Sequence, residues 1–204
     1  MSQYAFYFDG TRCTGCKTCE MSCKDFNDLS VGMAFRKVAE ATLGQTVRDE
    51  AGAISTTCVS YPVSVACNHC DNPLCMAECP QAAISKDTET GFVTSDPEKC
   101  IGCGTCVLTC PYGAPKVDEE AKKSVKCHGC ADRVAAGMKP VCVEACPARA
   151  LDFGTVEEME QLGERANIAP LPDVSETMPN FFIKASADAQ PVGSVEVANP
   201  LEVA

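Results

Sequence analysis

The sequence predicts an α+β chain of short helices and short strands built around repeated metal-ligating loops. Three observations carry this. The 204 residues include 17 cysteines. Sixteen of these fall into four groups, each opening as C-x2-C and closing as C-x3-C. The stretches between the groups are short and β-branched, and several alternate as strands do. The chain has no Trp, and aromatic residues make up 6% of it. A core of packed side chains alone would be thin, so ligation is expected to supply much of the stability.

Taken in order, YAFYF at positions 4–8 reads as a first strand. The first cysteine group follows: Cys13, Cys16, Cys19 and Cys23, spaced C-x2-C-x2-C-x3-C. Residues 35–66 hold two or three strand-like runs broken by Gly44 and Gly52, a small β-sheet insertion. Within it Cys58, the seventeenth cysteine, sits in the alternating run ISTTCVSYPVSVA and reads as a small buried hydrophobe. The second group is Cys67, Cys70, Cys75 and Cys79; the third is Cys100, Cys103, Cys106 and Cys110, spaced like the first. Between them AAISKDTETGFVTSD reads as a hairpin turning at Asp87–Gly91. The fourth group is Cys127, Cys130, Cys142 and Cys146, whose lengthened middle reads as one short helix and a turn at Gly137 and Pro140. After Phe153, Thr155 and Glu158 form a capping-box pattern for a helix running to about Gly163. The remainder is rich in proline and small residues without periodicity. Phe181, Phe182 and Ile183 favour an extended arm that orders against a partner subunit.

The first and third groups have the spacing of the bacterial ferredoxin run. Three cysteines on one tight loop can cap three corners of a cubane, and Gly15, Gly102 and Gly104 permit the turns. The fourth cysteine, three residues on, points away and ligates the other cluster of a pair. Pro80, Pro111 and Pro147 follow fourth cysteines, as that run prescribes, and Lys24 takes the place in the first group. Zinc sites use separated cysteine pairs, and a disulfide scaffold would not repeat C-x2-C four times. Four 4Fe-4S clusters are therefore expected. His69 and His128, each inside a C-x2-C, are expected to tune a cluster through hydrogen bonds rather than to ligate.

The economical layout is two nested ferredoxin-like units. An inner unit spans 59–115, an outer one is built from 1–58 and 116–154, and 155–204 forms a short helix and the arm. Exchange of fourth cysteines within each unit gives four ligand sets: Cys13, Cys16, Cys19 and Cys146; Cys67, Cys70, Cys75 and Cys110; Cys100, Cys103, Cys106 and Cys79; and Cys127, Cys130, Cys142 and Cys23. No nucleophile–base pair stands out, so no bond chemistry is expected of this chain. The N-terminus lacks a secretory pattern, and no stretch approaches the roughly 18 apolar residues of a membrane span. The formal charge of −11 makes nucleic acid and anionic membrane surfaces poor partners.

The segments CTGCKTCEMSCKDFNDL, CNHCDNPLCMAECP, CIGCGTCVLTCPYGAP and KPVCVEACPARALDFG, with IAPLP and MPNFFIK in the tail, carry a resemblance. They resemble the electron-transfer subunits of the dimethyl sulfoxide reductase family of molybdopterin oxidoreductases, over nearly the whole chain. The resemblance implies a large catalytic partner holding a molybdenum bis-pterin cofactor, often a quinol-oxidising membrane anchor, and clusters forming a relay between them. Relatives serve other substrates, among them nitrate, polysulfide, thiosulfate, selenate and formate. Nitrate reductase relatives carry Trp in the third group and hold a 3Fe-4S cluster; Cys103 here implies a fourth 4Fe-4S cluster instead. The resemblance places the chain at a membrane through its partners, on either side. A free polyferredoxin shuttle is the competing reading, and the apolar tail argues against it.

Overall fold

The computed structural model describes residues 2–203. The chain begins with β1 (Tyr4–Asp9) and the cysteine-bearing helix α1 (Thr18–Phe26). The insertion follows as β2 (Lys37–Leu43), β3 (Thr46–Arg48), β4 (Ile54–Thr56) and β5 (Val59–Val65). Strands β2 and β5 pair along their whole length, and β3 with β4 extends the same hairpin outward. Next come α2 (Leu74–Ala77), the hairpin β6 (Ile84–Lys86) and β7 (Val93–Ser95), and α3 (Thr105–Thr109). A second small hairpin, β8 (Lys116–Asp118) with β9 (Lys123–Val125), leads to α4 (Ala131–Ala135) and α5 (Val141–Glu144). The chain ends with β10 (Leu151–Thr155), α6 (Val156–Glu160), β11 (Glu164–Arg165), β12 (Phe181–Lys184) and α7 (Pro200–Val203).

One four-stranded sheet, in the order β10-β1-β12-β11, ties the two ends of the molecule together. Strand β1 runs antiparallel to β10, with Tyr4 opposite Thr155 and Phe8 opposite Leu151. Its period-2 alternation sorts the side chains. Phe6 and Phe8, with Leu151, Phe153, Phe181 and Ile183, enter the main core beside the cysteines. Ala5, Tyr7 and Phe182 face the other way, against Met159 of α6. That helix begins at the capping box read from the sequence: the Glu158 amide donates to Thr155 Oγ1, and the Thr155 amide donates to the Glu158 carboxylate.

Two expectations are corrected here. Phe181, Phe182 and Ile183 do not form an arm for a partner. They build β12, which lies parallel to β1 inside the protein's own sheet, with exposures of 1, 2 and 5%. A parallel strand has no adjoining turn to announce it, so a four-residue run in a proline-rich tail gave no local sign of this partner. The tail leading to it crosses the second cysteine group. The amides of Asp71 and Asn72 donate to Met178 O and Thr177 O, and Asn180 Nδ2 donates to His69 O and Asp71 Oδ1. Further on, Asn199 Nδ2 donates to Val38 O and Tyr61 Oη donates to Ala169 O, so the tail lies against the β2–β5 hairpin as well. The second correction is Cys58, which is exposed between β4 and β5 rather than buried. Every residue of β3 and β4 is exposed, because this end of the hairpin has no layer packed on either face.

Four cysteine-lined cavities

All 17 cysteines are free thiols, and sixteen of them line four enclosed cavities. Site I holds Cys13, Cys16 and Cys19 of the first run together with Cys146. Site II holds Cys67, Cys70 and Cys75 with Cys110. Site III holds Cys100, Cys103 and Cys106 with Cys79. Site IV holds Cys127, Cys130 and Cys142 with Cys23. No cysteine lines two cavities, and Cys58 lines none of them.

Local backbone explains each loop. In sites I and III the central residue of the first C-x2-C is in the left-handed region, at Gly15 (φ 68°) and Gly102 (φ 69°). The residue after the second cysteine is left-handed too, at Lys17 and Gly104, and serves as the N-cap of α1 or α3. A Cβ on Gly102 would stand 2.2 Å from the carbonyl oxygen of Lys122, so only glycine lets the loop sit that close. Each short helix then presents one cysteine to each of two cavities. Helix α1 gives Cys19 to site I and, one turn on, Cys23 to site IV; α5 gives Cys142 to site IV and Cys146, just past its end, returns to site I. The pair α2 and α3 does the same for sites II and III through Cys75, Cys79, Cys106 and Cys110.

The cavities therefore adjoin in a row. Sites I and IV share α1 and α5, and sites II and III share α2 and α3. Sites IV and II meet where adjacent residues split between them: Ala66 lines site IV and Cys67 site II, while Lys126 lines site II and Cys127 site IV. The order is I–IV–II–III. Cys16 and Cys103, in the two terminal sites, are exposed, whereas the first three cysteines of site IV are all buried.

Donors surround the sulfurs. Backbone amides of Gly102 and Ser124 donate to Cys100 Sγ at 3.4 and 3.2 Å, and those of Gly129, Ala83 and Ala150 donate to Cys127, Cys79 and Cys146 at 3.3–3.4 Å. Sites I and III are matched further: Thr18 and Ser64 stand 3.4 and 3.3 Å from Cys16 and Cys19, as Thr105 and Ser124 each stand 3.3 Å from Cys103 and Cys106. Asn27 Nδ2 donates to Cys23 Sγ at 3.6 Å, and its Oδ1 lies 2.9 Å from His128 Nε2. His128 thus reaches site IV through Asn27. His69 reaches no sulfur: its Nδ1 accepts from the Val93 amide, and burial keeps its pKa far below the usual imidazole value.

Burial pushes eight of these thiols up; Cys23, Cys70 and Cys75 are raised to about 12, and buried Cys127 is raised further. Cys16 and Cys103 go the other way, because Thr18 and Thr105 hydrogen-bond to the exposed sulfur. The positive charge of a metal offsets the penalty of burial, so buried thiols of this kind suit metal ligation. Each cavity is ringed by four thiols, and among the described residues no three His, Cys, Asp or Glu side chains converge closely enough to share one ion. A cubane, with iron at four separate corners, fits such a ring of four thiols; a single zinc ion needs them converged.

Further residues at these cavities carry no signal in the sequence. Arg36 lines site IV and Lys126 lines site II, both buried. Thr177, from the tail, lines site II. None lies in a cysteine run, so spacing gave no sign of them.

Comparison with known proteins finds iron–sulfur relatives. The 4Fe-4S dicluster domain family matches residues 58–156, and the 4Fe-4S binding domain family matches residues 11–32. The B subunit of anaerobic dimethyl sulfoxide reductase from Escherichia coli (strain K12) is 46% identical over 205 residues, covering 99% of each protein. The corresponding subunit from Haemophilus influenzae is 45% identical over 206 residues, covering 100% of each. The thiosulfate reductase electron transfer subunit of Salmonella typhi is 38% identical over 160 residues, covering 78% of this chain and 79% of its own.

Proposed function

The chain belongs to the family of iron–sulfur subunits of anaerobic dimethyl sulfoxide reductases, and from that premise we propose how its residues carry electrons. It is an electron-transfer subunit holding 4Fe-4S clusters and working beside a molybdopterin catalytic subunit. Our assignment gives sites I, II, III and IV one cluster each, with the four cysteines lining each cavity as ligands. The observation that carries it is the clean partition of sixteen cysteines, three from one run and the fourth from another, into four separate cavities.

When bound, each cluster supplies reversible one-electron redox chemistry. The protein's own contribution is position and environment. Helices that each serve two cavities fix neighbouring sites close together, which favours relay along I–IV–II–III. Amides aimed at sulfur stabilise added negative charge and set the potential. Exposed Cys16 and Cys103 suit sites I and III to exchange electrons with other subunits, while buried sites IV and II pass them inward. We read sites II and III as an inner ferredoxin-like unit over 59–115. Sites I and IV then form an outer unit from 1–58 and 116–154, closed by β1 on β10. The final strand, β12, adds to the outer unit's sheet.

Among the described residues no helix is long and apolar enough to cross a membrane. Attachment to a membrane-bound complex would then run through partner subunits, with dimethyl sulfoxide as the favoured terminal substrate and thiosulfate second. The tail no longer separates a subunit from a free shuttle, since its apolar residues are used within the fold. The full-length match to complex subunits supports the subunit reading instead. Iron and acid-labile sulfide analysis of the purified protein tests the cluster count: about 16 of each per chain is expected, and fewer than about 12 would overturn it. Co-purification of a molybdopterin subunit tests the partner.

A further inference from the structure

Arg36 stands where a charge should be costly. Its side chain is among the most completely buried in the molecule, with 1% exposure. A guanidinium does not lose its proton in proteins, so the charge is permanent. Yet only Nη1 is hydrogen-bonded, to Ser64 O at 3.3 Å and Ser64 Oγ at 3.1 Å. Buried Nε and Nη2 have no partner, and no salt bridge among the described residues includes Arg36. The remaining contact is the Phe6 ring, with the guanidinium carbon 4.8 Å from its centroid. The ionisable groups coupled to it are cysteines: Cys142, Cys127 and Cys23 of site IV and Cys19 of site I. An unpaired buried cation of this kind is strongly unfavourable unless an anion completes it. Four thiolates around a cubane core give a net negative site; Arg36 lines site IV, and Ser64, to which it donates, lines site I.

We propose that Arg36 is the shared counter-charge of the clusters at sites I and IV, holding the reduction potentials of both upward. This rests on the ligand assignment above. The sign follows from charge. Reduction adds one electron and no proton to a cluster, so the reduced form is one unit more negative, and a fixed cation stabilises it over the oxidised form. No other arginine among the described residues is buried in this way, and Lys126, the second cation enclosed among cysteines, faces Cys67, Cys127 and Cys75 around sites II and IV.

The test is a redox titration followed by electron paramagnetic resonance on the complex carrying Arg36→Met or Arg36→Lys. Signals are assigned to sites with Cys16→Ser and Cys130→Ser. Arg36→Met keeps the apolar stem and removes the charge. It should lower the equilibrium constant for reduction at sites I and IV at least tenfold, a fall of 59 mV for one electron, with a smaller change at II and III. Arg36→Lys, which keeps a charge, should stay near the wild-type midpoints. Unchanged midpoints in Arg36→Met, equal shifts in Met and Lys variants, or shifts confined to sites II and III would overturn the proposal. If Arg36→Met assembles without its clusters, Arg36→Lys decides. Full iron at wild-type midpoints sustains the proposal, and lost clusters despite the retained charge refute it. Ligand variants that remove unexpected signals would instead fault the site assignment, leaving the role of Arg36 to be read against a corrected one.

Discussion

At the scale of the residue, the cysteines separate by environment more than by spacing. Cys58 and Cys103 are both exposed, and neither burial nor reactivity alone tells them apart. Position does: Cys103 lines site III, whereas Cys58 Sγ, 3.7 Å from Thr46 Oγ1, belongs to an open hairpin. Cys103→Ser should therefore lose or convert one cluster, visible as a changed electron paramagnetic resonance spectrum and a reduced iron count. Cys58→Ser should leave both unchanged; a lost cluster in that variant would contradict the four-site partition. The same contrast explains what the sequence disclosed at this scale. The four cysteine groups were legible because their spacing is local, three cysteines of each cavity coming from one run. Arg36, Lys126 and Thr177 reach the cavities from residues that no spacing rule connects, and only the fold brings them there.

At the scale of the element, β12 shows how a short run can matter more than its length. Four residues stand second from the edge of the sheet, parallel to β1 and antiparallel to β11. Phe181 meets the core of the cysteine sites and Phe182 the smaller cluster under α6. Phe181→Ala and Phe182→Ala should each cost about 3–5 kcal/mol, the usual range for a buried phenylalanine, measured by denaturant unfolding of the cluster-loaded protein. Had the tail been an arm for a partner, both would be near neutral in the isolated subunit. Thr155→Ala, at the cap of α6, should cost about 0.5–2 kcal/mol by the same measurement. The hairpin β6–β7 and the capping box were legible because turns and caps are written in adjacent residues; of the insertion only two or three strand-like runs were, where the fold has four strands with β2 paired to β5. The parallel pair β1–β12 was not, since roughly 170 residues separate its strands and no local signal marks such a partner.

At the scale of the whole molecule, the cavity-lining cysteines are part of the core rather than guests in it. The main apolar cluster includes Cys19, Cys23, Cys67, Cys127, Cys142 and Cys146 beside its phenylalanines, and a smaller one consists of Cys75, Cys106, Ile84 and Val93. Most helices in the cysteine regions are short, α2 and α5 having only four residues each, too few to be stable alone. What orders them is the ring of four thiols at each cavity, two helices tied through each pair of sites. With the thiols empty, Arg36 becomes a buried cation with no counter-charge and the cavities become voids, both destabilising. Removing the clusters, by a chelator under oxidising conditions with reductant added afterwards to keep the thiols free, should therefore collapse the fold as a unit. The measurement is far-ultraviolet circular dichroism followed during iron loss. The expected course is parallel loss of strand signal and of the cluster absorbance, with the β1–β10–β12 sheet failing together with the sites, because Phe6, Phe153 and Phe181 pack directly against the cysteine-bearing core. An apo-protein that kept native circular dichroism and a cooperative thermal transition would show that the sheet is sufficient alone, and that the clusters are bound by a finished protein instead of completing it.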